Sequence, residues 1–176
     1  MSSGTPLRRL FDPARMRRYL ADCPAVLLPH LWAAAHVRQA IEAGRQCNAA
    51  ALLRDAAEEA FSIVLKCLFI SAHPVGLPEK KLLIEEHFRA CGLGKLELKG
   101  IGDGGGEAVV SASPFDECWV STYGRPSAPV NLIAEGFLAA AFAAVAGSAV
   151  RSFAAEEIES IAMGAAASRF RIARRK

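Results

Sequence analysis

The stretch "EEIESIAMGAAASRFRI", Glu156 to Ile172, decides how the C-terminal half of this chain is read. Its last part alternates. Over "SRFRIAR", Phe170 and Ile172 fall on one face and Arg169 and Arg171 on the other, the period-two pattern of a strand with one buried side. Ala162 and Gly164 to Ala167 are small residues that suit a close turn or short helix, with Gly164 free to take a backbone conformation that side chains resist. Phe170 then anchors the chain as it re-enters a sheet. Upstream, "AVRSFAAEE" after Gly147 reads as a further strand. Ser160 and Ser168 flank the small-residue core, so the stretch is either a site, the remnant of one, or a packed junction.

Working outward, the segment from about Val130 to Ala146 is a helix in which Gly136, Ala139, Ala140, Ala143 and Ala144 make a smooth surface for close approach. "STYGRPSAP" before it is a loop of turn formers, preceded by "SPFDECW". "KLELKGI" and "EAVVSAS", joined by "GDGGG", read as an antiparallel hairpin. The glycine run is no phosphate loop, because no helix follows it and the Gly-Lys-Ser/Thr ending is missing. The first half is helical. "PARMRRYLAD" opens at Pro13, and "AVLLPHLWAAAHVRQAIEAG" ends at Gly44. "CNAAALLRDAAEEAFSIVLKCLFISAHP" spaces Leu52, Leu53, Ala56, Ala60, Ile63 and Val64 at helical intervals, and "PEKKLLIEEHFRACG" puts Leu82, Leu83 and Phe88 on one side. The expected class is α+β: an N-terminal helical layer packed on a C-terminal antiparallel sheet of about four strands, crossed by the small-residue helix.

A length of 176 residues with 52% hydrophobic content supports one domain, residues 1–176. The net charge of +3 is small and gathers at the ends, in Arg8, Arg9, Arg15, Arg17, Arg18 and in Arg169 to Lys176. That reads as solvated faces and a mobile basic segment over residues 1–20, with no nucleic-acid partner. Cys23, Cys47, Cys67, Cys91 and Cys118 are odd in number and include no Cys-x-x-Cys pair, which suits reduced thiols in the cytoplasm. Cys67, inside "SIVLKCLFI", is expected to be a small buried hydrophobe. "MRRYLADCPAVLLPHLWAAA" is interrupted by Asp22, Pro24, Pro29 and His30, so it is not a signal peptide. "NLIAEGFLAAAFAAVAG" carries Glu135 and is short for a membrane span, which makes it a buried helix.

From about Leu82 to Arg174 the chain resembles the 4-vinyl reductase or hydrocarbon-binding domain family, related to heme-based nitric-oxide sensors and transport-particle ligand-binding folds. The matching pieces are "HFRACGLGKLEL", "PVNLIAEGFLAAAFAAVAG" and "EEIESIAMGAAASRF", in that order. The family frame Glu-x-x-Cys-x-Ala-x-Gly-x-x-x-Cys-x-Phe keeps Glu157, Ala162, Gly164 and Phe170 here, whereas Ser160 and Ser168 stand at its cysteine positions. A third cysteine position, five residues before the helix glycine, is Asn131. Thiolates hold zinc, and hydroxyls or an amide are poor replacements, so the resemblance implies a degenerate site of Asn131, Glu157, Ser160, Gly164 and Ser168 whose zinc is lost. It also implies a homodimer and an apolar ligand, a tetrapyrrole such as heme or an aromatic hydrocarbon. Relatives act in bacteriochlorophyll biosynthesis and as sensory modules.

The residues themselves offer no catalytic group. Ser111, Ser113 and Ser121 lack a glycine-flanked elbow, Cys118 sits beside Asp116 and Glu117, and Glu58–Glu59 and Glu156–Glu157 read as solvated acids. His30, His36, His73 and His87 read as surface or internally satisfied residues, although heme needs only one imidazole. Trp32, Phe61, Phe69, Phe115, Trp119, Phe137 and Phe142, with Tyr123 and Asn131 at a polar end, are available to line a cavity between helices and sheet. The same residues serve an ordinary core equally well. The expected function is non-catalytic binding of a hydrophobic small molecule, as carrier, accessory protein or stand-alone sensor, with no effector domain attached. The alternatives are a vinyl-reducing enzyme or accessory factor and a structural interaction protein.

Overall fold

A computed structural model describes residues 9–20, 23–26, 28–102 and 104–175. Among these the chain forms five helices and two antiparallel sheets, an α+β architecture. The helices are α1 (His30–Cys47), α2 (Ala49–Ala72), α3 (Gly76–Ala90), α4 (Pro114–Tyr123) and α5 (Leu132–Val145). A three-stranded N-terminal sheet contains β1 (Arg9–Asp12), β2 (Arg17–Leu20) and β3 (Cys23–Ala25), in that order. The C-terminal sheet contains β4 (Lys95–Gly102), β5 (Gly105–Ala112), β6 (Phe153–Glu159) and β7 (Ser168–Arg174), ordered β4-β5-β7-β6.

The N-terminal sheet replaces the helix expected over "PARMRRYLAD". Asp12 Oδ1 accepts the amides of Ala14 and Arg15 at 3.0 and 3.2 Å, and Met16 takes φ 51°, so the chain reverses at Pro13 instead of winding on. Pro24 is tolerated because β3 is an edge strand. Residues 1–8 of the expected mobile segment lie outside the described residues; Arg9–Asp12 and Arg17–Leu20 are strands paired with one another.

Every strand of the C-terminal sheet alternates. Leu96, Leu98, Ala108, Val110, Phe153, Ala155, Phe170 and Ile172 face inward and form the core with α2, α3 and α5. Arg169 and Arg171 point outward, where Arg169 Nε meets Glu159 Oε2 at 3.0 Å. The helix α5 crosses the inner face and is buried over most of its length, at Leu132 and from Ala134 to Ala143. Gly136 makes this possible. A Cβ there would lie 2.6 Å from the carbonyl oxygen of Arg54 and 2.6 Å from Ala57 Cβ, so α2 and α5 touch backbone to backbone. No helix among the described residues is long and apolar enough to cross a membrane.

The phase of α2 differs from the apolar spacing of its sequence. Leu52 and Ile63 are exposed, and the buried line is Glu58, Ser62, Leu65 and Leu68. Polar anchors set this rotation: Glu58 accepts the Arg151 amide at 2.5 Å and pairs with Arg175 at 3.5 Å, and Arg54 reaches Glu135 on α5 at 3.1 Å. Cys67 is exposed as a result, not buried, and Leu82 likewise faces outward on α3. The second, smaller core joins α1 and α4 through Ala34, Val37, Phe115, Trp119, Val130, Leu132 and Ala162.

An unhindered helical Gly→Ala change gains about 1 kcal/mol. Gly136→Ala should instead lose roughly 1–3 kcal/mol in urea unfolding, because the new methyl meets the backbone of α2. A gain in stability would show that the two helices are not in backbone contact.

Candidate functional site

Two polar islands interrupt the apolar interior. The first is His87, on α3 in phase with Ile84 and Phe88, the three buried residues of that helix. Its ring lies nearly parallel to Phe137, interplanar angle 12° and centroids 6.3 Å apart. Phe137 in turn meets Phe61 edge-on at 4.9 Å and Phe88 edge-on at 5.0 Å. His87 Nε2 lies 3.3 Å from Cys91 Sγ one turn further on, while Nδ1, fully buried, has no hydrogen-bond partner. Burial holds the imidazole neutral by lowering its pKa from 6.5 to about 4. The sequence reading of His87 as exposed or satisfied is therefore corrected. Its signal was present in the Ile84–His87–Phe88 spacing, which places the three on one helical face.

The second island collects the inward-facing polar residues of β6 and β7. Alternation that buries Phe153 and Ala155 also buries Glu157, and alternation that buries Phe170 and Ile172 also buries Ser168. Glu157 is thus not a solvated strand residue. Ser160 and Gly164 close the β6–β7 connection: the amides of Met163 and Ala165 donate to Ser160 O, the Gly164 amide donates to Ile161 O, and Gly164 takes φ 105°. Ser168 Oγ accepts the Ile161 amide at 2.9 Å.

The elements before the sheet supply the rest. Ser113 caps α4 by accepting the Asp116 amide at 3.3 Å, with Pro114 at the first helical position. Asn131 caps α5 by accepting the Ala134 amide at 3.2 Å. Its Nδ2 reaches Ser113 Oγ at 3.4 Å and the Asp116 carboxylate at 3.4 and 3.5 Å, and its backbone amide donates to Glu157 Oε2 at 3.4 Å. Ser168 Oγ lies 3.5 Å from Asp116 Oδ2. Asn131, Glu157, Ser160 and Ser168 therefore converge, joined by Asp116 and Ser113, which sequence reasoning left out. The motif Ser113-Pro-Phe-Asp116, a cap followed three residues later by an acid, was the readable trace of α4.

Both acids of this island are pushed up. Burial is the main cause for Glu157, raised to about 7; the Asp116 charge adds to it, and the hydroxyls of Ser168 and Ser160 and the Asn131 amide offset part. Asp116 is raised by burial too, against hydrogen bonds from Ser113, Asn131 and Ser168. The Ser160 hydroxyl acts on the Glu157 carboxylate without the geometry of a full hydrogen bond. The oxygens gathered here do not fit a thiolate-held zinc ion, which needs soft ligands. A groove of about 480 Å³ lined by Trp119, Val130, Glu135, Glu156 and Glu157 leads to the island from outside.

The nine residues proposed to line one cavity do not come together. Phe61, Phe69, Phe137 and Phe142 belong to the sheet core; Phe115, Trp119 and Tyr123 belong to the α1–α4 core; Asn131 sits in the polar island. Trp32 is 48% exposed and packs on His36, ring centroids 3.7 Å apart. A second groove, about 350 Å³, runs between the N-terminal sheet and the end of α3, lined by Leu10, Tyr19, Leu20, Val26, Ala90 and Cys91. It opens onto the cysteine that touches His87.

Two solved structures share this architecture. One is the crystal structure, with phenol, of the phenol-responsive sensory domain of the transcription activator PoxR. It matches with a TM-score of 0.75 at 15% sequence identity, covering 95% of this chain and 85% of that one. A vinyl-4-reductase family protein from Methanocaldococcus jannaschii matches with a TM-score of 0.56 at 15% identity, over 86% of this chain and 85% of that one. No family model and no curated protein matches the sequence. At these identities the likeness establishes the fold: this chain has the fold of the vinyl-4-reductase family protein and of the phenol-responsive sensory domain, as the sequence resemblance implied.

The two islands should oppose each other in pH. His87 binds its proton in the unfolded chain first, so its contribution is intact above pH 6.5 and is lost as the pH falls towards about 4, up to about 3 kcal/mol. Glu157, raised from 4.5, is at full stability below 4.5 and loses a similar amount as the pH rises through about 7. Urea midpoints followed across pH should therefore show His87→Leu flattening the acid limb and Glu157→Gln flattening the neutral limb. Unchanged limbs in both variants would contradict these assignments.

Proposed function

We propose that the chain binds a small aromatic molecule carrying a hydroxyl, without transforming it, in the core around His87. The observation that carries this reading is the buried imidazole with one unpartnered nitrogen against a cluster of three phenylalanine rings. Leaving a buried polar atom unpaired costs about 1–3 kcal/mol, and a ligand that pairs it recovers that cost on binding. A bare Nδ1 accepts a phenolic O–H and an Nδ1–H donates to the phenolic oxygen, so a hydroxyl matches the unpartnered nitrogen in either tautomer of the His87–Cys91 contact. Phe61, Phe88 and Phe137 already meet edge to face, the arrangement that a further aromatic ring extends. The fold likeness to a sensory domain whose structure contains phenol supports the same class of ligand.

The groove between the N-terminal sheet and α3 supports an entry from that side, because Cys91 is shared between its wall and the His87 contact. A binding module of this kind serves as a sensor or carrier. The Cys91–His87 pair does not favour the enzymatic alternative, since burial weakens the imidazole as a base and raises the thiol, the opposite of an activated nucleophile.

Calorimetry and thermal shift with phenol and with benzene test the reading. Phenol should bind and raise the melting temperature, and His87→Leu should weaken phenol about tenfold, the loss of one hydrogen bond, while leaving benzene nearly unchanged. The empty His87→Leu protein should be at least as stable as the original, since the unpaired nitrogen is gone. Equal loss of phenol and benzene, or no phenol binding at all, would overturn the assignment.

A further inference from the structure

The outward side of α2 carries the apolar spacing that its sequence displays. Leu52, Ala56, Ala60, Ile63, Cys67 and Ile70 recur at intervals of three and four residues and all lie exposed, Leu52 to 63%, Ile63 to 62% and Ile70 to 70%. Glu58, Ser62, Leu65 and Leu68 take the opposite, buried side, held there by the contacts of Glu58 with Arg151 and Arg175. Scattered apolar residues on a surface are ordinary, whereas a continuous line of them along one helix marks a contact.

Its length and charges say what covers it. From Leu52 to Ile70 the stripe runs about 27 Å at the helical rise of 1.5 Å per residue, and an interface of standard size, about 800 Å² a side, is roughly 28 Å across. Glu59 and Lys66, both exposed, stand two turns apart on one edge of the stripe, before and after Ile63. A second α2 laid antiparallel about a twofold axis near Ile63 brings each Glu59 beside the Lys66 of the other copy, while a parallel pairing sets like charges together. The antiparallel arrangement also puts the small Ala56 and Ala60 opposite the larger Ile70 and Cys67. Glu59 lies 3.7 Å from Arg151 Nη2 within its own chain, a half-exposed pair too weak to withdraw its carboxylate from a neighbour. A lipid surface fits less well, because it draws a helix face rimmed with cations, and here an acid shares the rim with Lys66.

We propose that this face of α2 is the surface on which two copies of the chain pair, antiparallel about an axis near Ile63, with two symmetry-related Glu59–Lys66 contacts fixing the register. The polar anchors that turn Glu58 inward are then also what turn the apolar stripe outward to meet its counterpart. None of the stripe residues belongs to the aromatic core around His87 or to the groove beside Cys91, so this inference and the ligand reading stand or fall separately.

Sedimentation velocity across about 1 to 300 μM chain, a range that covers micromolar pairing, tests it. The unaltered protein should shift from monomer to dimer. Ile63→Glu, at a side chain already open to solvent, should keep the far-ultraviolet circular dichroism and urea midpoint of the original and weaken the dimer at least tenfold, since two carboxylates then meet near the axis. Glu59→Lys and Lys66→Glu should each weaken pairing several-fold, and the two together should restore it, a rescue that only the antiparallel register supplies. A protein that stays monomeric throughout the range would overturn the proposal and leave the stripe to a different partner. A dimer indifferent to Ile63→Glu would overturn it by placing the interface on another face, and a double exchange no stronger than either single one would contradict the register.

Discussion

The contact between α5 and α2 at Gly136 is the constraint on which the rest of the molecule depends. A helix buried around its whole circumference needs a neighbour on each side, and α5 has the sheet on one and α2 on the other. Absence of a side chain at Gly136 brings the backbones together and fixes where Arg54 and Glu58 fall along α5 and the sheet end. Arg54 then meets Glu135, whose other oxygen accepts the Glu157 amide at 3.0 Å, so one chain of polar contacts runs from α2 through α5 into β6. Apolar packing supplies the bulk of the stabilisation, and these contacts select one rotation of α2 among several that would bury as much apolar surface.

That rotation organises the interior into chemically distinct regions. On one side Phe137 projects from α5 towards Phe61, Phe88 and His87, an apolar environment in which a neutral imidazole keeps one ring nitrogen unpartnered. At the N-terminal end of the same helix, Asn131 gathers Ser113, Asp116 and Glu157 into a cluster rich in negative charge. Both regions store unsatisfied polar capacity, but of opposite kinds. The first holds an unpartnered ring nitrogen among aromatic rings, and the second holds carboxyls whose burial favours their protonated form.

Much of the C-terminal half was legible in the sequence because its signals are local and strong. The alternation of "SRFRIAR" predicted β7 to the residue, "GDGGG" between two alternating runs predicted the β4–β5 hairpin, and the small residues of α5 predicted a close approach that Gly136 makes. The class of fold followed from those elements. The N-terminal strands were not legible, since "PARMRRYLAD" has the composition of a helix and its reversal depends on the Asp12 side chain capturing two amides. For α2, side-chain hydrophobicity pointed to the wrong face because buried Glu58 and Arg54 contacts outweighed it. Within the site, Asn131, Glu157, Ser160 and Ser168 of the family frame lie near one another, joined by Asp116, to which the frame gave no pointer. The single aromatic cavity failed for a different reason: composition names aromatic residues but cannot assign them to one side of α5 or the other.

Nitrogen NMR of the imidazole side chains during a phenol titration tests the central claim most directly. The His87 Nδ1 signal should start at the shift of a nitrogen without a hydrogen bond and move to that of a hydrogen-bonded one in proportion to bound phenol, while His30, His36 and His73 stay fixed. A titration in which phenol binds and the His87 signals do not move would contradict it, and would place the ligand elsewhere in the fold.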